Sequence, residues 1–101
     1  MAKTFFGVER GDHDEPLDIH DYMVDHKAST FFMKMEGEGP DGTDIKAGDV
    51  LVVDRAVLPK KGTVAVVAID GELRVEVLSG KVMSEDVTLW GVVTGLLRRF
   101  R

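Results

Sequence analysis

Residues 30–55 read TFFMKMEGEGPDGTDIKAGDVLVVDR. Two apolar runs, Phe31–Met35 and Val50–Asp54, bracket a loop of glycine, proline, aspartate and glutamate. Short apolar runs bounded by such turn formers read as β-strands. The pattern continues downstream in Val64–Ile69, Leu73–Leu78 and Val87–Leu97, each set off by turn-forming residues. Asp70-Gly71, between the second pair of these runs, supplies the positive φ values of a two-residue type I′ hairpin turn. In the strand after it, Leu73, Val75 and Val77 alternate with Glu72, Arg74 and Glu76, so the apolar set should enter the core and Glu76 should point away from it. Upstream, Leu17–His26 places Ile19, Tyr22, Met23 and His26 at helical spacing, with Asp18 available as an N-cap. The sequence therefore predicts a mainly β domain over residues 16–101 with a short helix at its start. The polar, charge-dense stretch 1–15, closed by Pro16, reads as an exposed arm.

The 101 residues are 44% hydrophobic and 31% charged, enough for one core and no second domain. No apolar run is long enough to span a bilayer, and MAKTFFGVERGD lacks the continuous apolar region of a secretory signal, which points to the cytoplasm and away from membranes. Cysteine is absent, excluding disulfides, thiolate zinc sites and cysteine nucleophiles. A net charge of −5 argues against a broad phosphate-neutralising surface and hence against strong direct nucleic-acid binding.

The 30–55 segment resembles the self-cleaving LexA/UmuD serine–lysine peptidase family. Members carry an aromatic strand, S-G-D-S-M, a short loop, G-D and a strand ending in V-D. In this chain the motif reads Glu36-Gly37-Glu38-Gly39-Pro40, followed by Gly48-Asp49 and Val53-Asp54. The family's nucleophilic serine falls on Gly39 without a gap. Its D-G-E-x-x-V-K motif, source of the lysine base, appears as Asp70-Gly71-Glu72-Leu73-Arg74-Val75-Glu76, with Glu76 in the lysine's place. A serine–lysine mechanism needs a hydroxyl to attack and a neutral amine to take its proton. Glycine and glutamate supply neither, and Pro40 has no N–H to offer an oxyanion. The resemblance thus implies the family's β fold without its catalysis, and no cofactor.

Two further departures accompany this loss. The family's arm carries a scissile Cys-Gly or Ala-Gly bond, which ungapped alignment places near Lys3-Thr4, where no such dipeptide stands. Between Leu78 and Trp90 the connection is shorter than in typical relatives, so the resemblance implies a trimmed sheet.

Other residues invite a chemical reading. His13, His20 and His26 lie among Asp12, Asp14, Asp21 and Asp25 and suggest a metal site, but no His pair has i, i+4 spacing, and they read as solvated helix and arm residues, with no metal expected. Glu36 and Glu38 mimic paired carboxylates if the strand continues, but they read as solvated residues on an acidic surface. Arg98, Arg99 and Arg101 form a basic tail whose reach toward phosphate is weak and nonspecific on its own. Thr43 and Ser29 are alternative hydroxyls, neither at the motif position, and Lys34 belongs to the wrong strand to serve as base.

The resemblance implies a UmuD′-like accessory subunit, a homodimer that joins a UmuC-like Y-family polymerase in translesion synthesis during the SOS response. The alternative it leaves open is a regulatory pseudo-peptidase that pairs with a LexA/UmuD relative or binds the RecA filament. The run Val87–Leu97 is apolar on both faces, and an edge strand there would seek a partner. Leu89, Trp90 and Val92 are accordingly the expected dimer contacts.

Overall fold

A computed structural model describes residues 18–79 and 86–100. The arm 1–15 and the shortened connection at 80–85 lie outside the described residues. Helix α1 (Ile19–Met23) starts where Asp18 accepts a hydrogen bond from the Asp21 N–H, the expected cap. A 3-10 turn, Lys27–Ser29, leads into β1 (Thr30–Lys34). Four strands follow: β2 (Val50–Asp54), β3 (Val64–Ile69), β4 (Glu72–Val77) and β5 (Val87–Leu97). They form one antiparallel sheet in the order β1-β2-β5-β3-β4. The mainly β fold class and the short helix are as the sequence predicts. Among the described residues no helix is long and apolar enough to cross a membrane.

At the β3–β4 turn, Asp70 has φ 51° and Gly71 φ 82°, the two positive values that a type I′ turn requires. The strand it opens departs from expectation. Val75 packs against the core, but Leu73 and Val77 are 46% and 40% exposed. Alternation assigns a residue to a face; it does not say how far the core extends under that face, and β4 is the sheet's outermost strand.

The larger correction concerns β5. It is the central strand: its second half pairs with β2 and its first half with β3, while Val92 is aligned with both Asp54 and Ala65. The open edges among the described strands are β1 and β4. Val92 is buried within the chain's own sheet, and Leu89 and Trp90 are half-buried, so β5 offers no free edge for a second copy. The two-faced apolar pattern arises because β5 is covered within one molecule. Register shifts at Val52/Val53 and Val66/Val67 let this strand serve both neighbours. Close approach explains Gly91, where an added Cβ would stand 2.7 Å from Val53 Cγ1.

The core occupies both faces of β2 and β3. Leu51, Val53 and Val66 form a cluster on one face with Ile45, which the long loop folds back over the sheet. Val52, Ala65 and Val67 are buried on the other face. Because Ile45 anchors the 36–49 loop against this core, the loop is held over the sheet at the place where the motif residues lie.

Candidate functional site: a cleft along the outer strand

Leaving β1, the chain bonds back to the loop's closing residues: Met35 N–H donates to Asp49 O at 2.8 Å and Gly48 N–H donates to Met35 O at 2.9 Å. Gly39 N–H donates to Ile45 O at 3.0 Å. Thr43 donates both its N–H and its hydroxyl to Pro40 O, at 3.1 and 2.6 Å, which closes a tight turn. The Thr43 hydroxyl is thus committed to the loop backbone. The other foundation of the loop is Asp49, almost fully buried, whose carboxylate accepts from the Lys46 N–H at 2.8 Å and from Arg98 Nε and Nη2 at 2.7 Å each. Arg98 also donates to Asp44 O. The bidentate Arg98 fork and the Lys46 amide hold the Asp49 carboxyl down to about 2, against the opposing effect of burial.

The result is an open cleft of about 490 Å³. Glu36, Gly37 and Glu38 line one side, Arg74, Val75 and Glu76 another, and Met33, Leu51 and Val66 give it an apolar base. Glu76 is aligned with Ala65, on the face opposite Val75, as the strand alternation predicts. The lining runs from Met33 on β1 through Leu51 on β2 and Val66 on β3 to β4, where neighbours that point to opposite faces both take part. The cleft therefore crosses the sheet and reaches the open edge of β4. The fold therefore unites the Glu36–Glu38 segment with Glu76. Gly39 stands just beyond the lining, and a Cβ built on it would lie 2.5 Å from Ile45 Cβ and 3.0 Å from Ile45 O.

Sequence reasoning missed a second cluster. Asp54, at the end of β2 and almost fully buried, accepts from His26 Nδ1 at 2.6 Å, Ser29 Oγ at 2.9 Å and the Ala56 N–H at 2.8 Å. A serine, a histidine and an aspartate meet, but both others bind the aspartate on its separate oxygens. A relay would need the serine on the imidazole, so the arrangement ties the 26–29 turn to β2 and leaves the Ser29 hydroxyl unactivated. Burial pushes the Asp54 carboxyl up, yet the bonds from His26, Ala56 and Ser29 outweigh it and hold it below its ordinary value. The same bond to Asp54 raises the His26 imidazole. No sequence signal could have found this pairing across 28 residues, because V-D at a strand end has no local mark of its partner.

Lys34 lines the cleft but lies on β1, as expected, at the opposite end of the strand order from β4. Arg55 stacks over Trp90 at 4.3 Å and donates to the Trp90 carbonyl, while Phe31 meets the same indole edge-on at 5.2 Å. These contacts further account for the half-burial of Trp90.

The model of the Peptidase S24-like family matches residues 3–89. Protein ImpA of Salmonella typhimurium is 31% identical over 104 residues, spanning 87% of this chain and 72% of its own. Protein MucA of Escherichia coli is 30% identical over 112 residues, spanning 93% of this chain and 77% of its own. Protein SamA of Salmonella typhimurium strain LT2 is 28% identical over 102 residues, spanning 87% and 73%.

Proposed function

This chain belongs to the Peptidase S24-like family, the LexA/UmuD peptidases, and from that membership we propose that it is a catalytically inactive, UmuD′-like accessory subunit. Its partner is a UmuC-like Y-family DNA polymerase, and its setting is translesion synthesis in the SOS response to DNA damage. The observation that carries this reading is the pair Gly39 and Glu76. Both motif segments are present and one cleft draws on both, yet neither position offers a nucleophile or an amine base. The commitments of the two alternative hydroxyls, Thr43 to Pro40 and Ser29 to Asp54, support the same conclusion. A subunit that acts by binding keeps its function when the chemistry is gone. Self-association as a homodimer belongs to this reading, although the enclosed β5 moves it to surfaces other than that strand's edge.

The test has two arms. The chain is incubated with a LexA- or UmuD-type substrate at neutral and alkaline pH, with and without activated RecA, and no cleavage is expected. It is then recovered from cells under DNA damage, and a Y-family polymerase is expected to co-purify. Robust proteolysis would overturn the inactive assignment. Recovery of a LexA/UmuD relative or RecA in place of the polymerase would favour the regulatory pseudo-peptidase.

A further inference from the structure

Lys34, Val50 and Leu97 lie abreast at one end of β1, β2 and β5. Beyond Leu97 the chain delivers Arg98 and Arg99, and the closing part of the long loop brings Lys46 to the same place. Together with Ala47 and Gly48 they line an open cleft of about 800 Å³, which shares Lys34 and no other lining residue with the first cleft. Four of its lining side chains are cationic and one, Asp49, is a carboxylate. Asp49 is turned onto Arg98 and the Lys46 amide, so those two charges are spent on each other. Lys34, Lys46 and Arg99 give the cleft its outward charge, Lys46 being only loosely drawn to Asp44 at 3.8 Å. A concentration of positive charge in a concave site focuses the field for an anionic ligand, even in a chain whose net charge is −5.

Two features decide what kind of anion fits. None of the lining residues is aromatic, whereas single-stranded nucleic-acid channels combine basic grooves with aromatic stacking platforms. Between the cations lie Ala47, Val50 and Leu97, the last 38% exposed, which form an apolar floor. We propose that this cleft is a docking site for an acidic peptide segment of a partner protein, its carboxylates on Lys34, Lys46 and Arg99 and an apolar side chain on Val50 and Leu97. The Arg98 fork fixes the backbone between Leu97 and Arg99, so the apolar and cationic halves are preset relative to each other. The assignment goes beyond the reading of Gly39 and Glu76 and does not depend on it.

Fluorescence anisotropy with a labelled peptide of alternating Glu and Leu tests it, beside a Lys-for-Glu control peptide and a labelled oligothymidylate. The acidic peptide is expected to bind in low salt with a Kd on the order of 10–100 μM. Lys46→Glu with Arg99→Glu should weaken it about tenfold or more, and Lys60→Glu, outside the cleft, less than about twofold. Lys46→Gln with Arg99→Gln, measured beside the melting temperature, gives the same ranking in a variant without new acids. The proposal is overturned by equal binding to the wild type and the cleft variants, by absence of peptide binding at about 1 mM, or by tighter binding of the oligothymidylate than of the peptide.

Discussion

A Cβ on Gly39 would stand 2.5 Å from the Cβ of Ile45, the residue that pins the long loop to the core. Gly39 therefore differs from a serine by more than a hydroxyl, since the loop is packed for glycine. Gly39→Ser is expected to cost about 1–3 kcal/mol through overpacking. Its combination with Ile45→Ala should cost less than the sum of the two single changes, because the smaller side chain relieves the clash. Urea unfolding of the four proteins measures this. Gly39→Ser with Glu76→Lys should accordingly remain without proteolytic activity unless Ile45 is also reduced.

Arg98 and Asp49 predict an acid limb in stability. The Asp49 carboxyl is held down to about 2 in the fold, against an ordinary value of 3.8. A depressed folded value means that the pair's contribution is present above about pH 4 and is lost as pH falls toward 2. Melting temperatures of the wild type should decline across that window. Arg98→Met should be less stable near neutrality and should show a shallower decline, and an identical slope in both proteins would remove this assignment.

His26 predicts the opposite limb. Its imidazole is raised from 6.5 by Asp54, so the stabilisation is complete below 6.5 and fades as pH rises through the raised value. The Asp54 carboxyl is lowered, so its own contribution fades only when pH falls below 3.8. Between those limits the bond from the 26–29 turn to β2 is strongest. A His26→Gln variant should lose the decline in melting temperature seen in the wild type between pH 6 and pH 9.

Val92 separates packing from association. Val92→Asp places a carboxylate inside the sheet's own core and is expected to destabilise the fold by about 3–5 kcal/mol or to prevent folding. Leu89→Asp, at a half-buried position, should be milder. If Val92→Asp yields a folded protein whose only defect is a lower association constant by sedimentation equilibrium, the placement of β5 at the centre of the sheet is wrong.

The parts of this fold that were legible in the sequence are those with a local cause. Asp18 marked the helix start, Asp70-Gly71 marked the turn, and the apolar runs located all five strands to within a residue at their ends. The motif comparison also brought the Glu36–Glu38 segment and Glu76 to one site before any coordinate did. Position within the sheet was not legible in the same way. An apolar strand facing both ways reads alike whether neighbours in the same chain or a second copy cover it. The discriminating marks in β5 were its length and its glycines, which permit two partners and close contacts. Arg98 with Asp49 and His26 with Asp54 join residues 49 and 28 positions apart, and no periodicity encodes such pairs.

The placement of β5 has a consequence for how the molecule is made. β1 and β2 can pair with each other, and so can β3 and β4, but within the sheet the two ribbons meet only through β5. Two-stranded ribbons are marginal by themselves in water. During synthesis the earlier strands must therefore wait, with the inner edges of β2 and β3 uncovered, until the final strand emerges from the ribosome. Folding is then completed by the insertion of one strand between two waiting partners, so a nascent chain stalled before Val87 should be protease-sensitive and a target for chaperones, whereas release of Leu97 should protect the whole sheet in a single step.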